Sequence, residues 1–128
     1  MLAVDTNVVV RLIVRDDERQ AAAAEQIVRQ GAWLSILGLA ETVWVLSSIY
    51  EFSPPELVHA LEMLLENEQL TVEHSTIVER ALALYRTRPR VRFTDCLMVE
   101  LARQSGSIPL VTFDRDLAKL DDVKLITS

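Results

Sequence analysis

Short apolar runs alternate with longer segments of helical spacing along this chain, and that alternation sets the class of fold open to it. Leu2-Ala3-Val4 reads as a short buried strand, and residues 7–14 form an apolar helix in spite of their β-branched run. Residues 17–30 are rich in helix formers, with Ala21 to Ala24 at the centre and Gly31 as a C-terminal stop. Residues 32–36 make a second strand. Leu39, Val43, Leu46 and Tyr50 mark one helical face over residues 39–50. Ser53-Pro54-Pro55-Glu56 spells a helix start: Ser53 as N-cap, Pro54 at the first helical position and Glu56 closing a capping box. That helix extends to about residue 66. A strand at 70–73, a helix at 76–85, a helix at 94–105 ended by Gly106, a strand at 108–112, a short helix at 114–120 and a strand at 123–126 complete the order. Such alternation predicts an α/β fold, a single three-layer domain over 1–128 with a central parallel sheet flanked by helices.

Composition narrows the function. With 128 residues, half of them hydrophobic, the chain has material for one core. The apolar runs are too short and too often charged to span a bilayer, so no membrane partner is expected. Met1 runs directly into the first strand, so no signal peptide is expected, and the single cysteine, Cys96, suits a reducing cytoplasm. A net charge of −6 excludes a surface that attracts nucleic acid everywhere. Contact with nucleic acid then needs a local basic patch or a partner.

Four carboxylates stand where strands give way to helices or in the first turns of those helices: Asp5, Glu41, Asp95 and Asp114. In an alternating fold the strand ends of one edge converge and form the ligand crevice. Carboxylates gathered there repel one another unless a cation joins them. Each also has a plainer reading. Asp5 is a natural N-cap, and Asn7 a turn residue that also has the chemistry to hold Asp5 by a hydrogen bond. Glu41 reads plainly as a solvent-facing helix glutamate, but it shares its helix face with Trp44 and Val45, where a carboxylate is costly unless paired or bound to metal. Asp95 follows Thr94, which is expected to cap the helix and free Asp95 for other work. Asp114 suits the cap of the following helix, and Asp116 a partner of its dipole. Hard oxygen donors without His or Cys favour Mg²⁺. His59 and His74 have no ligand spacing to each other or to Cys96, which argues against zinc. There is no Gly-rich phosphate loop, nucleophile elbow or catalytic Cys-His pattern.

The chain resembles the PIN-domain family and, within it, the VapC toxins of prokaryotic toxin–antitoxin pairs. The resemblance is carried by Leu2-Ala3-Val4-Asp5-Thr6-Asn7, by Leu39-Ala40-Glu41-Thr42-Val43-Trp44-Val45-Leu46, by Phe93-Thr94-Asp95 and by Leu110-Val111-Thr112-Phe113-Asp114-Arg115-Asp116, four short motifs in order over nearly the whole chain. It implies an endoribonuclease that depends on Mg²⁺ or Mn²⁺ and hydrolyses RNA phosphodiester bonds with metal-activated water, leaving a 3′-hydroxyl and a 5′-phosphate. Asp5, Glu41, Asp95 and Asp114 stand at the family's acidic positions, with Asp116 as a fifth, and Thr6, Asn7 and Thr112 at supporting ones. On that pattern Asp5 and Asp95 hold the metal directly. Glu41 reaches the metal, its water or a second ion, and Asp114 orients a metal-bound water. Cys96 departs from the pattern, at a place often taken by a smaller or acidic residue. The resemblance also implies a homodimer and an antitoxin that lays an apolar helix in a groove.

Arg86, Arg88, Arg90 and Arg92 recur at every second position just before Asp95, interrupted by Pro89. They read either as an RNA-phosphate or partner contact beside the acids, or as a solvated loop balancing them. Arg11 and Arg15 read as a solvated helix face. Trp33 and Trp44 are expected in the core, and the leucine-rich stretch 57–65 exceeds what one small domain buries. Two other classes fit parts of the sequence. A non-catalytic PIN-like module would bind RNA or protein without cutting. A phospho-acceptor receiver domain would need paired acids after its first strand and a lysine ending its last, whereas here Thr6 follows Asp5.

Overall fold

Ser35 decides where the second strand stops. Its hydroxyl accepts from the Gly38 amide at 2.9 Å, so the chain turns helical at Ile36, three residues earlier than the helical face over 39–50 suggests. The computed structural model describes residues 1–127, which fall into two compact units that divide after Ser75. Strands and helices alternate as the α/β class requires, and every strand pair is parallel.

The first unit holds strands β1 (Leu2–Val4), β2 (Ala32–Leu34) and β3 (Leu70–Val72), in that order across a parallel sheet. Leu2 pairs with Ala32 and Ala32 with Leu70, so the three strands run in register. Helices α1 (Thr6–Val14) and α2 (Glu18–Arg29) connect β1 to β2, and α3 (Ile36–Ser48) and α4 (Pro54–Glu66) connect β2 to β3. α1 packs on α2 and α3, and α4 on β3 and α3. Val9, Leu34, Leu39, Leu46 and Leu61 are fully shielded, each contributing about 1.5–3 kcal/mol of apolar burial. The capping box at Ser53 forms as the sequence indicates: Glu56 N donates to Ser53 Oγ and Ser53 N to Glu56 Oε1. Those Ser53 groups hold the Glu56 carboxyl below its ordinary pKa. Gly31 takes the left-handed backbone, φ +89°, that ends the α2 connection.

The second unit holds helices α5 (Ser75–Thr87, beginning one residue before the unit) and α6 (Phe93–Ser105), then parallel strands β4 (Leu110–Thr112) and β5 (Val123–Leu125). Tyr85 on α5 meets Phe93 on α6 edge to face at 5.9 Å. Gly106, φ +73°, closes α6. The short helix expected at 114–120 shrinks to a single 3-10 turn, Leu117–Lys119.

Two expectations about the core change. Trp44 is 61% exposed, and Trp33 is only half-buried. On α4 the sequence's excess leucine resolves by face: Leu57, Leu61 and Leu64 are buried, while Met63 stays exposed. No helix among the described residues is long and apolar enough to cross a membrane.

Candidate metal centre in two acidic pairs

Asp5 ends β1 and caps α1. Its Oδ1 accepts from Val8 N at 3.3 Å, so the cap reading of this residue is realised. Its Oδ2 has no protein partner among the described residues, which leaves half of the carboxylate to solvent or a ligand. Asn7 does not hold Asp5: no hydrogen bond joins them among the described residues, and Asn7 instead lines a surface cavity beside α2. Thr6 does the tethering here, on a different acid. Its Oγ1 donates to Glu41 Oε2 at 2.9 Å, with a longer contact to the Gly38 carbonyl at 3.4 Å. Glu41 is exposed rather than set in an apolar face, and Thr6 limits where its head group points. Asp5 and Thr6 are chain neighbours, so this one hydroxyl brings Glu41 to the end of β1.

The α3 scaffold explains why that tether is possible. Gly38 is buried where a Cβ would lie 2.8 Å from Leu34 Cδ1. Its carbonyl receives the fully buried Thr42 hydroxyl at 2.8 Å. From the adjacent strand end, Glu73 Oε1 accepts from Ile36 N at 2.9 Å, satisfying an amide in the first turn of α3. Gly38→Ala therefore overpacks the β2–α3 junction, with an expected loss of about 1–3 kcal/mol against a small gain in helix propensity. Chemical denaturation measures it, and a variant as stable as the parent would contradict the packing argument.

The second pair lies in residues 76–128. The segment before Asp95 is not a strand: Val91 N donates to Arg88 O at 3.0 Å, closing a turn, and α6 begins at Phe93. Thr94 lies inside the helix, and the cap position is Arg92, whose side chain makes no capping bond. Asp95 is thus presented by the first turn of α6. Burial pushes its carboxyl above the ordinary range and the nearby Asp114 charge adds to this, with Arg92 opposing in part. Asp114 caps the 3-10 turn, its Oδ1 accepting from Asp116 N at 2.8 Å and Leu117 N at 3.3 Å. Thr112 Oγ1 accepts from Asp114 N at 3.0 Å and fixes this residue. Asp114 Oδ2 has no protein partner among the described residues. Asp116 is committed to Lys119 at 3.3 Å.

Among the described residues, no three His, Cys, Asp or Glu side chains stand close enough to enclose an ion by themselves. The donor chemistry nonetheless fits a hard divalent cation. Burial, with the Asp114 charge adding, disfavours the Asp95 carboxylate, which a nearby cation would offset, and Mg²⁺ binds through one or two carboxylates while keeping several waters.

Cys96, next to Asp95, takes no part. It is fully buried, and burial, with the Asp95 charge adding, pushes its thiol up to about 11. It is expected to resist alkylation at pH 8 in the native protein and to react on unfolding; rapid native modification by iodoacetamide would contradict this. Arg11 and Arg15 are engaged elsewhere, with Asp16 and Glu25.

Sequence reasoning missed Gly38, Glu73 and the Thr6–Glu41 bond. Thr6 and Glu41 are 35 residues apart and Ile36 and Glu73 37 apart, separations that local patterns do not encode. A family profile described as PIN domain matches residues 2–123. No curated protein matches the chain.

Proposed function

The chain belongs to the PIN-domain family, whose fold is of nuclease type, and from that premise we propose that it is a divalent-metal-dependent endoribonuclease acting as the toxin of a toxin–antitoxin pair. PIN domains are generally nucleases and generally use divalent metals. The observation that carries the proposal is the pairing of acids at the four family positions. Thr6, the chain neighbour of Asp5, bonds Glu41, and the Asp114 charge acts on Asp95, whose ionisation is disfavoured chiefly by burial.

On this reading all four carboxylates serve one Mg²⁺ or Mn²⁺ centre. The support for joining the two pairs is the family match. Asp5 and Asp95 hold the ion directly. Glu41, steadied by the Thr6 hydroxyl, accepts a proton or hydrogen bond from a water at the site. Asp114 spends one oxygen on the backbone of its own turn, which fixes its orientation, and offers the other to a water. A divalent cation, when bound, lowers the pKa of a coordinated water and offsets charge on the phosphate. Thr6→Val, which keeps shape and removes the hydroxyl, is expected to lower cleavage roughly 10-fold or more, as loss of an orienting group does at other metal sites.

The toxin assignment rests on the motif resemblance. Leu37, Trp44 and Ile49, left 61–68% exposed on or just after α3, support a protein partner, either an antitoxin or a second copy. A cytoplasmic location agrees with the single buried thiol. The test is cleavage of a panel of structured RNAs with Mg²⁺ and with EDTA. Cutting that needs the metal is expected. Cutting equally fast in EDTA would sink the proposal.

A further inference from the structure

Beside the Asp95–Asp114 pair lies a cavity of about 270 Å³, lined by Thr87, Arg88, Pro89, Arg90, Val91, Asp116 and Lys119, all in the second unit. Its position follows from the turn between α5 and α6. Thr87 ends α5, with its hydroxyl donating to Leu84 O, and Val91 N closes back on Arg88 O. The loop between them rises against the 3-10 turn that carries Lys119. Arg88 and Arg90 are exposed and join no ion pair among the described residues. Lys119 is only partly offset by Asp116, in an exposed pair of little energetic weight. Pro89 and Val91 supply an apolar surface between the cations.

Net charge makes this concentration informative. The chain carries 13 Lys and Arg against 19 Asp and Glu, yet four of the arginines fall within residues 86–92. The same run continues to Arg92, whose charge acts on Asp95. On the other side, the amide of the lining residue Asp116 is bonded to Asp114 Oδ1. The cavity thus shares Asp116 with the turn that Asp114 caps, and its other wall runs on in sequence to Arg92.

We propose that this cavity is a subsite for the RNA backbone flanking the bond to be cut, taking one phosphate between Arg88, Arg90 and Lys119 and its ribose against Pro89 and Val91. The proposal rests on the ribonuclease reading given above. Guanidinium groups match phosphate oxygens two at a time, and the cavity is of the size of one nucleotide unit rather than of a folded segment. Placed here, the subsite adds a positive anchor to a domain whose overall charge repels RNA, and sets the strand's register against the acids.

The test is binding of a short labelled single-stranded RNA in EDTA, followed by fluorescence anisotropy across salt concentrations. The Arg88→Gln/Arg90→Gln variant is expected to bind roughly 10-fold more weakly at low salt. Its log K against log salt slope should be flatter by about 0.7, for one phosphate no longer neutralised. Lys119→Gln provides a second variant of the same site, expected to weaken binding and to flatten the slope by no more than about 0.7, with little added in the double-variant background. Lys124→Gln, an exposed change on β5 outside the cavity, is expected to bind as the parent does. A single methylphosphonate scanned along the RNA should weaken binding to the parent at one linkage and have no such effect on the double variant. Unchanged affinity and slope in the double variant would overturn the subsite, while metal-dependent cutting by that same variant would leave the ribonuclease reading standing. A parent protein that neither binds nor cuts any RNA would overturn both. Polyglutamate competing as well as RNA would assign the cavity to an acidic protein and overturn the proposal.

Discussion

Asp95→Asn is expected to reduce metal-dependent RNA cleavage by at least about 100-fold, a larger effect than removal of an orienting group around a metal ligand. The same substitution is expected to stabilise the metal-free protein at neutral pH. Asp95's pKa is raised in the folded state, chiefly by burial, with Asp114 adding. The folded protein therefore binds a proton more readily than the unfolded chain, and stability falls as pH rises through the window between the two values. The unfavourable contribution is fully present above the folded-state value and vanishes below the ordinary carboxylate range. Asn carries no charge at any pH, so the melting temperatures of parent and variant should converge on acidification and separate at pH 7, with the variant higher. Added Mn²⁺ should reverse the order, because mass action stabilises only the form that binds it. A variant that melts below the parent at pH 7 without metal would contradict the account of Asp95.

Arg103→Ala is expected to cost about 2–3 kcal/mol, roughly 10 °C in melting temperature for a chain of this size. Glu100 is only 7% exposed on α6 and is bonded to Arg103 Nη1. Arg103 also donates through Nε to Asp122 Oδ2 at 3.0 Å and through Nη2 to Asp121 O at 2.9 Å. One guanidinium thus ties α6 to the turn that enters β5 and compensates a carboxylate that water barely reaches. Removing it strands Glu100, and the penalty is the desolvation of that charge more than the loss of any one bond. Glu100→Leu combined with Arg103→Ala should recover much of the loss, since an apolar side chain needs no partner. Urea unfolding of the three proteins separates these terms. A single variant within about 0.5 kcal/mol of the parent, the usual range for surface changes, would show that Glu100 is better solvated than its burial indicates.

The parts of this fold that sequence reveals are those whose causes are local. The Ser53 capping box, the glycine stops at Gly31 and Gly106 and the 3.6-residue face of α3 each depend on neighbours within about a turn, so they can be read directly. The turn before Asp95 has a local cause too. Arg88-Pro89-Arg90 favours a turn, and Val91 and Phe93 are buried without forming a ladder. Trp44 was misplaced because helical periodicity identifies an apolar face without showing whether another element covers it. The acidic positions were legible by motif. The bonds that orient them were not, because Thr6–Glu41 and Thr112–Asp114 depend on chain paths and hydroxyl geometry that periodicity does not carry.

We propose, from the family pattern alone, that the two acidic pairs share one ion. Mn²⁺ titration followed by electron paramagnetic resonance tests this most directly, with the parent compared against Asp5→Asn and Asp95→Asn. Weakened binding of the same ion in both variants is the predicted result, since each removes a direct ligand from one pair. Binding by Asp5→Asn indistinguishable from the parent, alongside loss in Asp95→Asn, would confine the metal to the second pair and contradict a shared centre.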